Sequence, residues 1–206
     1  FNKSLYSIVD SSFVKNEDYF LTSQKMIAGG VKILQLRMKN SNKKEIFSIA
    51  KEISNLCKKE KVIFIVNDHP DIAMLVEADG VHLGQDDIPI EEVKKILPSH
   101  MIIGVSTHSY KQAMEAEKEG PDYIAIGPIY DTNSKYGKLI RGIGTEVIKE
   151  IKNRVKLPVV AIGGIKSDQI EEILDSGADS PVLVSYLYQN NDIENNCSRI
   201  IDLLLK

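Results

Sequence analysis

Val62-Ile63-Phe64-Ile65-Val66 is the longest purely apolar run in this 206-residue chain. An unbroken apolar run of this length, rich in β-branched residues, is typical of a strand buried on both faces. Such strands occur in parallel sheets whose two faces are covered by helices. The polar pair Asn67-Asp68 follows at once, so an amide and an acid stand where this strand ends.

Outward from this run, short β-branched segments alternate with longer amphipathic segments. The eight predicted strands are Leu5–Val9, Lys32–Leu36, Val62–Val66, Gly80–Leu83, Ile102–Val105, Tyr123–Ile126, Val159–Ile162 and Pro181–Val184. The predicted helices that follow them are Asp18–Ala28, Lys43–Glu60, Pro70–Glu77, Pro89–Leu97, Tyr110–Glu119, Gly144–Arg154, Ser167–Ser176 and Ile193–Leu205. Eight strand–helix units of about 25 residues each predict an α/β fold, a closed (β/α)₈ TIM barrel that forms a single domain over residues 1–206.

An open, doubly wound sheet is the alternative architecture. That fold predicts a G-x-G-x-x-G turn after the first strand, and Val9-Asp10-Ser11-Ser12-Phe13 contains no glycine. Glycines instead end helical patterns just before predicted strands, at Ala28-Gly29-Gly30, Glu119-Gly120-Pro121-Asp122 and Ser176-Gly177-Ala178-Asp179. This spacing favours one helix-to-strand turn that is reused around a barrel.

The composition limits the classes of partner. Apolar residues make up 43% of the chain and charged residues 27%, with a net charge of −3, which is ordinary for a globular protein. We expect no nucleic-acid partner, because basic residues are not in excess, and no membrane contact, because no stretch reaches spanning length. Cys57 and Cys197 favour reduced thiols and a cytoplasmic location. The oligomeric state stays open, a homo-oligomer included.

Polar or glycine clusters follow seven of the eight predicted strands, and barrel enzymes carry their chemistry at these strand ends. The clusters are Gln35-Leu36-Arg37-Met38-Lys39, Asn67-Asp68, Gly84-Gln85-Asp86-Asp87, Ser106-Thr107-His108, Gly127-Pro128 with Thr132-Asn133-Ser134-Lys135, Gly163-Gly164 and Ser185. Each cluster alone is ordinary for a loop, a turn or a helix cap. Together they place two acids opposite several cations at one barrel mouth, which predicts a binding site.

The residue types in these clusters indicate a chemistry. Asp68 and Asp87 supply hard oxygen ligands, which suit Mg²⁺ when water and phosphate take its remaining positions. Arg37, Lys39 and Lys135 can bind phosphate oxygens. The bare backbone of Gly163-Gly164 allows a phosphate to approach closely. We therefore expect one Mg²⁺ per subunit with a bound diphosphate, and a second phosphate near the seventh and eighth strands.

At these residues the chain resembles the thiamine phosphate synthase family. The matching stretches, which run in family order, are Gln35–Lys39, Val66–Asp68, Ala78–Asp87, Gly104–His108, Asp122–Tyr130, Thr132–Lys135 and Ala161–Ile165. The resemblance implies a transferase that condenses 4-amino-2-methyl-5-(diphosphooxymethyl)pyrimidine with a thiazole phosphate. Pyrophosphate would leave in a Mg²⁺-assisted, dissociative displacement, which yields thiamine phosphate.

The resemblance also implies roles for individual residues. The pyrimidine diphosphate would contact Gln35, Leu36, Arg37, Met38, Lys39, Asn67, Ser106 and Lys135. Among these, the catalytic residues at the leaving diphosphate would be Arg37, Lys39, Ser106 and Lys135. Mg²⁺ would be bound by Asp68 and Asp87. The thiazole phosphate would contact Thr132, Asn133, Ser134, Gly164, Val184 and Ser185. The long connection over residues 127–142 carries Lys135 and is expected to act as a lid.

Two departures from the family pattern leave alternatives open. Ser134 replaces a usual Thr, and Ser180-Pro181 replaces a usual Gly and aliphatic residue, so the thiazole phosphate site is where this chain differs most. Lys135-Tyr136-Gly137-Lys138 with Arg141-Gly142 is similar to the related thiazole tautomerase branch, in which His108 would transfer a proton. That activity would leave the predicted Mg²⁺ ligands without a role. A paralogue that binds thiamine intermediates without catalysis is the other alternative.

Overall fold

The strands form a closed barrel in the computed structural model, which describes residues 3–14, 18–133 and 139–205. The parallel barrel strands are β1 (Tyr6–Asp10), β2 (Ile33–Arg37), β3 (Ile63–Asn67), β4 (Gly80–Leu83), β5 (Ile102–Thr107), β6 (Tyr123–Ile126), β9 (Val159–Ile162) and β10 (Ser180–Leu183). Two short strands, β7 (Thr132–Asn133) and β8 (Leu139–Ile140), pair separately as an antiparallel ribbon. Because β1 pairs with β10 as well as with β2, the predicted barrel is confirmed and the open sheet is wrong.

Helices cover the outside of the barrel. Within the described ranges they are α1 (Tyr19–Ala28), α2 (Lys43–Glu60), α3 (Pro70–Leu75), α4 (Ile90–Ile96), α5 (Tyr110–Glu119), α6 (Glu146–Lys152), α7 (Ile170–Asp175) and α8 (Ile193–Leu204). Short 3₁₀ segments occur at Ser167–Gln169 and within Ser185–Asn191. Across the part of the chain that the structure describes, we find no helix with the length and apolarity needed to cross a membrane.

Two predicted helix boundaries are wrong for the same physical reason. The sequence pattern extends the third helix to Glu77 and starts the sixth at Gly144, whereas α3 ends at Leu75 and α6 begins at Glu146. Glu77 has a φ of 51° and Gly144 a φ of 80°. A residue in this left-handed region cannot continue a right-handed helix, so each helix stops short of it.

Strand alternation separates the apolar residues into two cores. The inner core fills the barrel and contains Tyr6, Ile8, Ile33, Ile65, Tyr123, Ala125, Val160 and Val182. The larger outer core lies between the barrel strands and the helices. Gly104 on β5 makes room for the Tyr123 ring, since a Cβ atom at Gly104 would lie 2.0 Å from that ring. Because side chains fill the barrel interior, a ligand can bind only at its mouth.

One helix-to-strand turn recurs before β4, β6 and β10. In each turn an aspartate side chain accepts a 2.7 Å hydrogen bond from a backbone N–H of the neighbouring strand, and the pairs are Asp79 with Phe64, Asp122 with Ile103, and Asp179 with Val159. The backbone N–H of each aspartate also donates to the carbonyl of the same partner residue, at 2.7–2.9 Å. This pair of hydrogen bonds fixes the register between neighbouring strands, and with it the relative height of the strand ends at the mouth.

Candidate active site

The basic side chains at the end of β2 lie at the barrel mouth. Arg37 Nη1 lies 2.7 Å from Asp10 Oδ2 at the end of β1. Lys39 forms an ion pair with Asp68, which follows β3. Two residues before Arg37, Gln35 is buried inside the barrel and donates a hydrogen bond to Tyr6. The alternating residues of this segment therefore reach the interior and the mouth, where the sequence places the diphosphate.

The side chains of Leu36 and Met38 point the other way. Both lie in the outer core and are buried against the helices. The alternation that brings Arg37 and Lys39 to the mouth turns these two residues outward. Any contact that Leu36 or Met38 makes with a substrate must therefore come from its backbone.

Asp10 is a site residue that sequence reasoning missed. Its carboxylate is 6% exposed and has a partner on each oxygen. Oδ2 accepts from Arg37, and Oδ1 accepts from the Ser12 backbone N–H at 2.7 Å. A buried, fully hydrogen-bonded carboxylate holds a guanidinium in one orientation. The predicted first strand ended one residue early, and the period of two through Tyr6, Ile8 and Asp10 is the signal that identifies this acid.

The two predicted metal ligands, Asp68 and Asp87, lie close enough together that each shifts the pKa of the other. Burial raises the pKa of Asp68, but the hydrogen bonds from Lys39 and Asp87 and the charges of Lys39 and Arg37 outweigh it. The pKa of Asp68 is therefore lowered below its usual value. Burial raises the pKa of Asp87, and the neighbouring Asp68 carboxylate adds to that rise against the hydrogen bond from Gly84. The two carboxylates therefore lie together in a place where a cation can bind both.

The donor set of this pair fits a hard divalent cation. Backbone N–H groups hold both residues in place: the Asp68 N–H donates to the His82 carbonyl at 2.9 Å, and the Gly84 N–H donates to the Asp87 carboxylate at Oδ2, at 2.6 Å. Mg²⁺ is usually bound by one or two carboxylates, with water and substrate phosphates as its other ligands. Asp68 and Asp87 are therefore the residues that would hold it.

A continuous series of hydrogen bonds crosses the barrel interior beneath the mouth. We call it the buried network. It runs from Gln35 Nε2 to Tyr6 Oη (2.7 Å), Tyr123 Oη (2.8 Å), His82 Nδ1 (2.8 Å) and from His82 Nε2 to Ser106 Oγ (2.8 Å). Burial lowers the pKa of His82 to about 4, although the Asp68 carboxylate opposes that shift. The His82 imidazole is therefore neutral. The buried network links two predicted substrate contacts, Gln35 and Ser106.

Two further polar residues complete this half of the mouth. Asn67 ends β3 and is buried next to His82 of β4, its partner in the strand register. Gln85 Nε2 donates to the carbonyl oxygen of Ser106 at 2.7 Å and so ties the β4–α4 loop to the end of β5. Gln35, Arg37, Lys39, Asn67 and Ser106, five of the predicted pyrimidine diphosphate contacts, therefore come from β2, β3 and β5 and the segments after them.

The predicted thiazole phosphate contacts lie on the other side. Gly164 follows β9, and Thr132 is half-buried in the ribbon. Val184 packs against the inner core after β10, and Ser185 is exposed at the start of the 3₁₀ segment. The departure at Ser180-Pro181 leaves β10 intact, since both residues keep their register with β9. The Asn133 side chain, Ser134 and Lys135 lie outside the described residues.

The connection from β6 to α6 is anchored at its root. Asp131 accepts hydrogen bonds from the Gly142 N–H (2.8 Å) and from Arg141 (2.9 Å), which closes the connection on itself. Glu172 on α7 accepts from Tyr130 Oη and from Thr145 Oγ1, both at 2.8 Å. The two ends of the predicted lid are thus held to the barrel body.

His108 contributes to the same anchor. Its Nδ1 lies 2.7 Å from the Gly127 carbonyl oxygen, and its backbone N–H donates to Gln112 Oε1 at 2.7 Å. This geometry uses the imidazole to join the end of β5 to the start of the connection. It gives His108 a structural task that does not involve proton transfer.

Gly164→Ala is expected to destabilise the barrel by about 3 kcal/mol, since a left-handed alanine costs about 1–2 kcal/mol and overpacking adds to it. Gly164 has a φ of 71°, and a Cβ atom would lie 2.8 Å from the carbonyl oxygens of Tyr130 and Asp131. Gly144 has a similar φ of 80° but open space around it. Gly144→Ala therefore isolates the backbone cost, about 1 kcal/mol. Urea unfolding measures both variants, and equal losses would refute the close packing at Gly164.

Known proteins share this sequence and this fold. The thiamine monophosphate synthase family matches residues 5–187. The thiamine-phosphate synthase of Shouchella clausii is 43% identical over 190 residues, which cover 92% of this chain and 90% of that protein. That of Halalkalibacterium halodurans is 41% identical over 193 residues, covering 94% and 91%. The solved structure of thiamine phosphate pyrophosphorylase from Pyrococcus furiosus superposes with a TM-score of 0.89 at 34% identity, covering 99% and 96%.

These matches agree with the sequence resemblance. The relatives carry the name of the synthase, which favours condensation over the tautomerase and non-catalytic alternatives. Enzymes of this family are transferases that use a metal ion in catalysis. The chain belongs to the thiamine monophosphate synthase family and is a condensing transferase of that family.

Proposed function

We propose that this chain joins 4-amino-2-methyl-5-(diphosphooxymethyl)pyrimidine to a thiazole phosphate at the barrel mouth, as one catalytic domain with one Mg²⁺ per subunit. The observation that carries the proposal is the contact of Asp68 and Asp87 beside Lys39 and Arg37. Paired carboxylates next to two cations suit a metal-bound diphosphate and no neutral substrate. We also propose a cytoplasmic location, since reduction keeps thiols such as Cys57 and Cys197 free there.

The reaction forms a bond between the thiazole nitrogen and the methylene carbon of the pyrimidine, and it breaks the bond from that carbon to the diphosphate oxygen. The aminopyrimidine ring can stabilise positive charge on that carbon, so the protein has to supply neither a nucleophile nor a strong base. Its main task is to neutralise the charge that develops on the departing diphosphate. When bound, Mg²⁺ supplies part of that positive charge.

The side chains of this mouth can supply the rest. Asp10 engages one nitrogen of Arg37, which leaves the other guanidinium donors for phosphate oxygens. Lys39 lies two residues further along the same segment, and Ser106 lies near the end of β5. We assign both to the same task, and Lys135 as well on its sequence position. Gln35 and Asn67 would hold the pyrimidine ring in the interior below the diphosphate. Gly164, Val184 and Ser185 with residues 132–134 would hold the thiazole phosphate opposite, so that the two reacting atoms meet.

The direct test is product formation by the purified chain. With both substrates and Mg²⁺ present, we expect thiamine phosphate and pyrophosphate in equal amounts. EDTA should abolish both products, and added Mg²⁺ should restore them, because the leaving group loses its metal partner. Liquid chromatography with mass detection measures both. Absence of product, or product that EDTA does not change, would contradict the proposal.

A further inference from the structure

We propose that Tyr188 is a positioning residue for the departure of the diphosphate: its hydroxyl closes the barrel between β1 and β10 and so fixes Asp10, the acid that orients Arg37. Tyr188 acts through these two residues and does not itself touch the reacting atoms. The inference rests on the proposed function, since it concerns how Arg37 is held for the leaving diphosphate.

The first and last strands of the barrel separate before they reach the mouth. The register of β1 with β10 ends at Ser7 and Leu183, whereas that of β1 with β2 continues to Asp10 and Arg37. Val184, with a φ of −127° and a ψ of −87°, leaves the extended conformation and leads the chain into the 3₁₀ segment. The end of β1 therefore projects beyond β10, and the backbone groups on that edge require another partner.

The Tyr188 hydroxyl is that partner. It accepts a hydrogen bond from the Asp10 N–H at 3.3 Å and donates one to the Ile8 carbonyl oxygen at 3.2 Å. In a parallel sheet, a residue of the neighbouring strand makes the same two bonds, to the carbonyl before and the N–H after the residue that it faces. The phenol thus takes the place of a strand residue opposite Val9, and it extends the closure of the barrel up to Asp10.

Tyr188 is itself held from two directions. The buried Asn196 amide on α8 donates to the carbonyl oxygens of Leu187 and Gln189, the residues on either side of Tyr188, at 3.1 and 2.8 Å. The Phe13 ring, in the turn after β1, stacks on the Tyr188 ring with the centroids 5.2 Å apart. The phenol therefore reaches β1 from a fixed position between α8 and this turn.

The same contacts determine where the Asp10 carboxylate points. The Tyr188 hydroxyl holds the Asp10 backbone. The stacked Phe13 ring holds the turn in which the Ser12 N–H donates to Asp10 Oδ1 at 2.7 Å. Asp10 Oδ2 then faces Arg37 Nη1 at 2.7 Å. The side chain of Asp10 is 8% exposed and that of Arg37 is 26% exposed, so the acid is fixed inside the protein and the guanidinium reaches the mouth.

The orientation of Arg37 matters because a guanidinium is a rigid planar group. When Asp10 fixes Nη1, the directions of the remaining N–H donors of Arg37 are also restricted. A two-point contact with phosphate oxygens depends on those directions. A displacement of β1 at Asp10 would therefore reach the diphosphate as misaligned donors, although the charge of Arg37 is unchanged.

Tyr188→Phe tests the proposal, because it removes the hydroxyl and keeps the ring that stacks on Phe13. We expect kcat/KM to fall about fivefold, the scale of one neutral hydrogen bond. Calorimetric titration with inorganic pyrophosphate in the presence of Mg²⁺ should show a similar loss of affinity. Asp10→Asn should have a larger effect, about thirtyfold in kcat/KM, because it removes the charge-assisted hydrogen bond to Arg37.

A double variant separates positioning from general structural support. If Tyr188 acts through Arg37, Tyr188→Phe should change kcat/KM and pyrophosphate affinity little in an Arg37→Gln background, since the group that it orients is gone. A residue with only a structural role would lower both quantities by the same factor in either background. Such additivity would overturn the proposal.

Ser54→Ala is the matched control. Like Tyr188, Ser54 has a hydroxyl that donates to a backbone carbonyl, here that of Val76 at 2.7 Å, but it lies on α2 outside the barrel. The control should lower thermal stability without changing kcat/KM or pyrophosphate affinity. Circular dichroism and thermal unfolding show that each variant is folded before it is titrated.

The outcomes distinguish this inference from the proposed function. A wild-type chain that makes no thiamine phosphate overturns the proposed function, and the pyrophosphate titration still measures the effect of Tyr188 on Arg37 without turnover. An active wild type, with kcat/KM and pyrophosphate affinity unchanged in Tyr188→Phe, overturns the positioning role alone.

Discussion

Asp68→Asn is expected to lower kcat/KM on the order of a thousandfold while the barrel stays folded. The substitution removes the negative charge that a divalent cation requires and leaves the size of the side chain unchanged. Asp68 has a φ of 64°, a left-handed conformation that asparagine adopts more readily than most residues. The change therefore does not strain the backbone at the end of β3. The loss of kcat/KM measures the contribution of the carboxylate charge.

Metal binding gives a readout of Asp68 that does not depend on turnover. Calorimetric titration with Mg²⁺, or electron paramagnetic resonance with Mn²⁺, should show binding to the wild type and little to Asp68→Asn or Asp87→Asn. Asp71→Asn is the control, because Asp71 forms an exposed surface pair with Lys43 at 2.7 Å. Surface pairs of this kind contribute about 0–1 kcal/mol, so its kinetics and metal binding should match the wild type. Normal metal affinity in Asp68→Asn would show that the ligands lie elsewhere.

Local patterns were sufficient to predict most of the barrel. Apolar runs such as Val62–Val66 and the helices between them repeat often enough to count eight units, and α5 begins and ends at the predicted residues. The wrong helix boundaries occur where the backbone conformation of a single residue determines where the helix begins or ends. Gly144 and Glu77 occur inside helical patterns, but their positive φ angles depend on packing that no pattern of apolar residues expresses. The pairing of β1 with β10, which closes the barrel, follows only from the repeat count.

The candidate site was predictable where its residues follow strands in polar clusters, and not where they sit inside strands. Arg37, Lys39 and Asp68 belong to the first kind. Tyr6 and Tyr123 belong to the second: they are separated by 117 residues, and each has the sequence context of an ordinary core aromatic. Only closure of the barrel brings the two hydroxyls together. A buried hydrogen-bonded network of this type is a property of the three-dimensional fold.

Lys39→Met is expected to have opposite effects on catalysis and on metal affinity. The Lys39 ammonium forms an ion pair with Asp68, the carboxylate that we assign to Mg²⁺. The Lys39 ammonium and Mg²⁺ therefore compete for the Asp68 carboxylate, and the ammonium also repels a bound Mg²⁺. Without Lys39, the Mg²⁺ affinity of the substrate-free protein should rise about tenfold, the scale of one charge-assisted hydrogen bond. In the same variant kcat/KM should fall on the order of a hundredfold, because the leaving diphosphate loses a cation.

The opposite directions of the two effects distinguish competition between Lys39 and Mg²⁺ for Asp68 from structural support of Asp68 by Lys39. If Lys39 mainly held Asp68 in place for the metal, Lys39→Met would weaken Mg²⁺ binding and catalysis together. Calorimetric titration of the free protein and steady-state kinetics with saturating Mg²⁺ measure the two effects independently. Lys43→Met is the matched control, since Lys43 is exposed and its partner is Asp71; neither quantity should change in it. Tighter metal binding with slower turnover in Lys39→Met alone would place Lys39 on the diphosphate during the reaction, because the metal displaces it from Asp68.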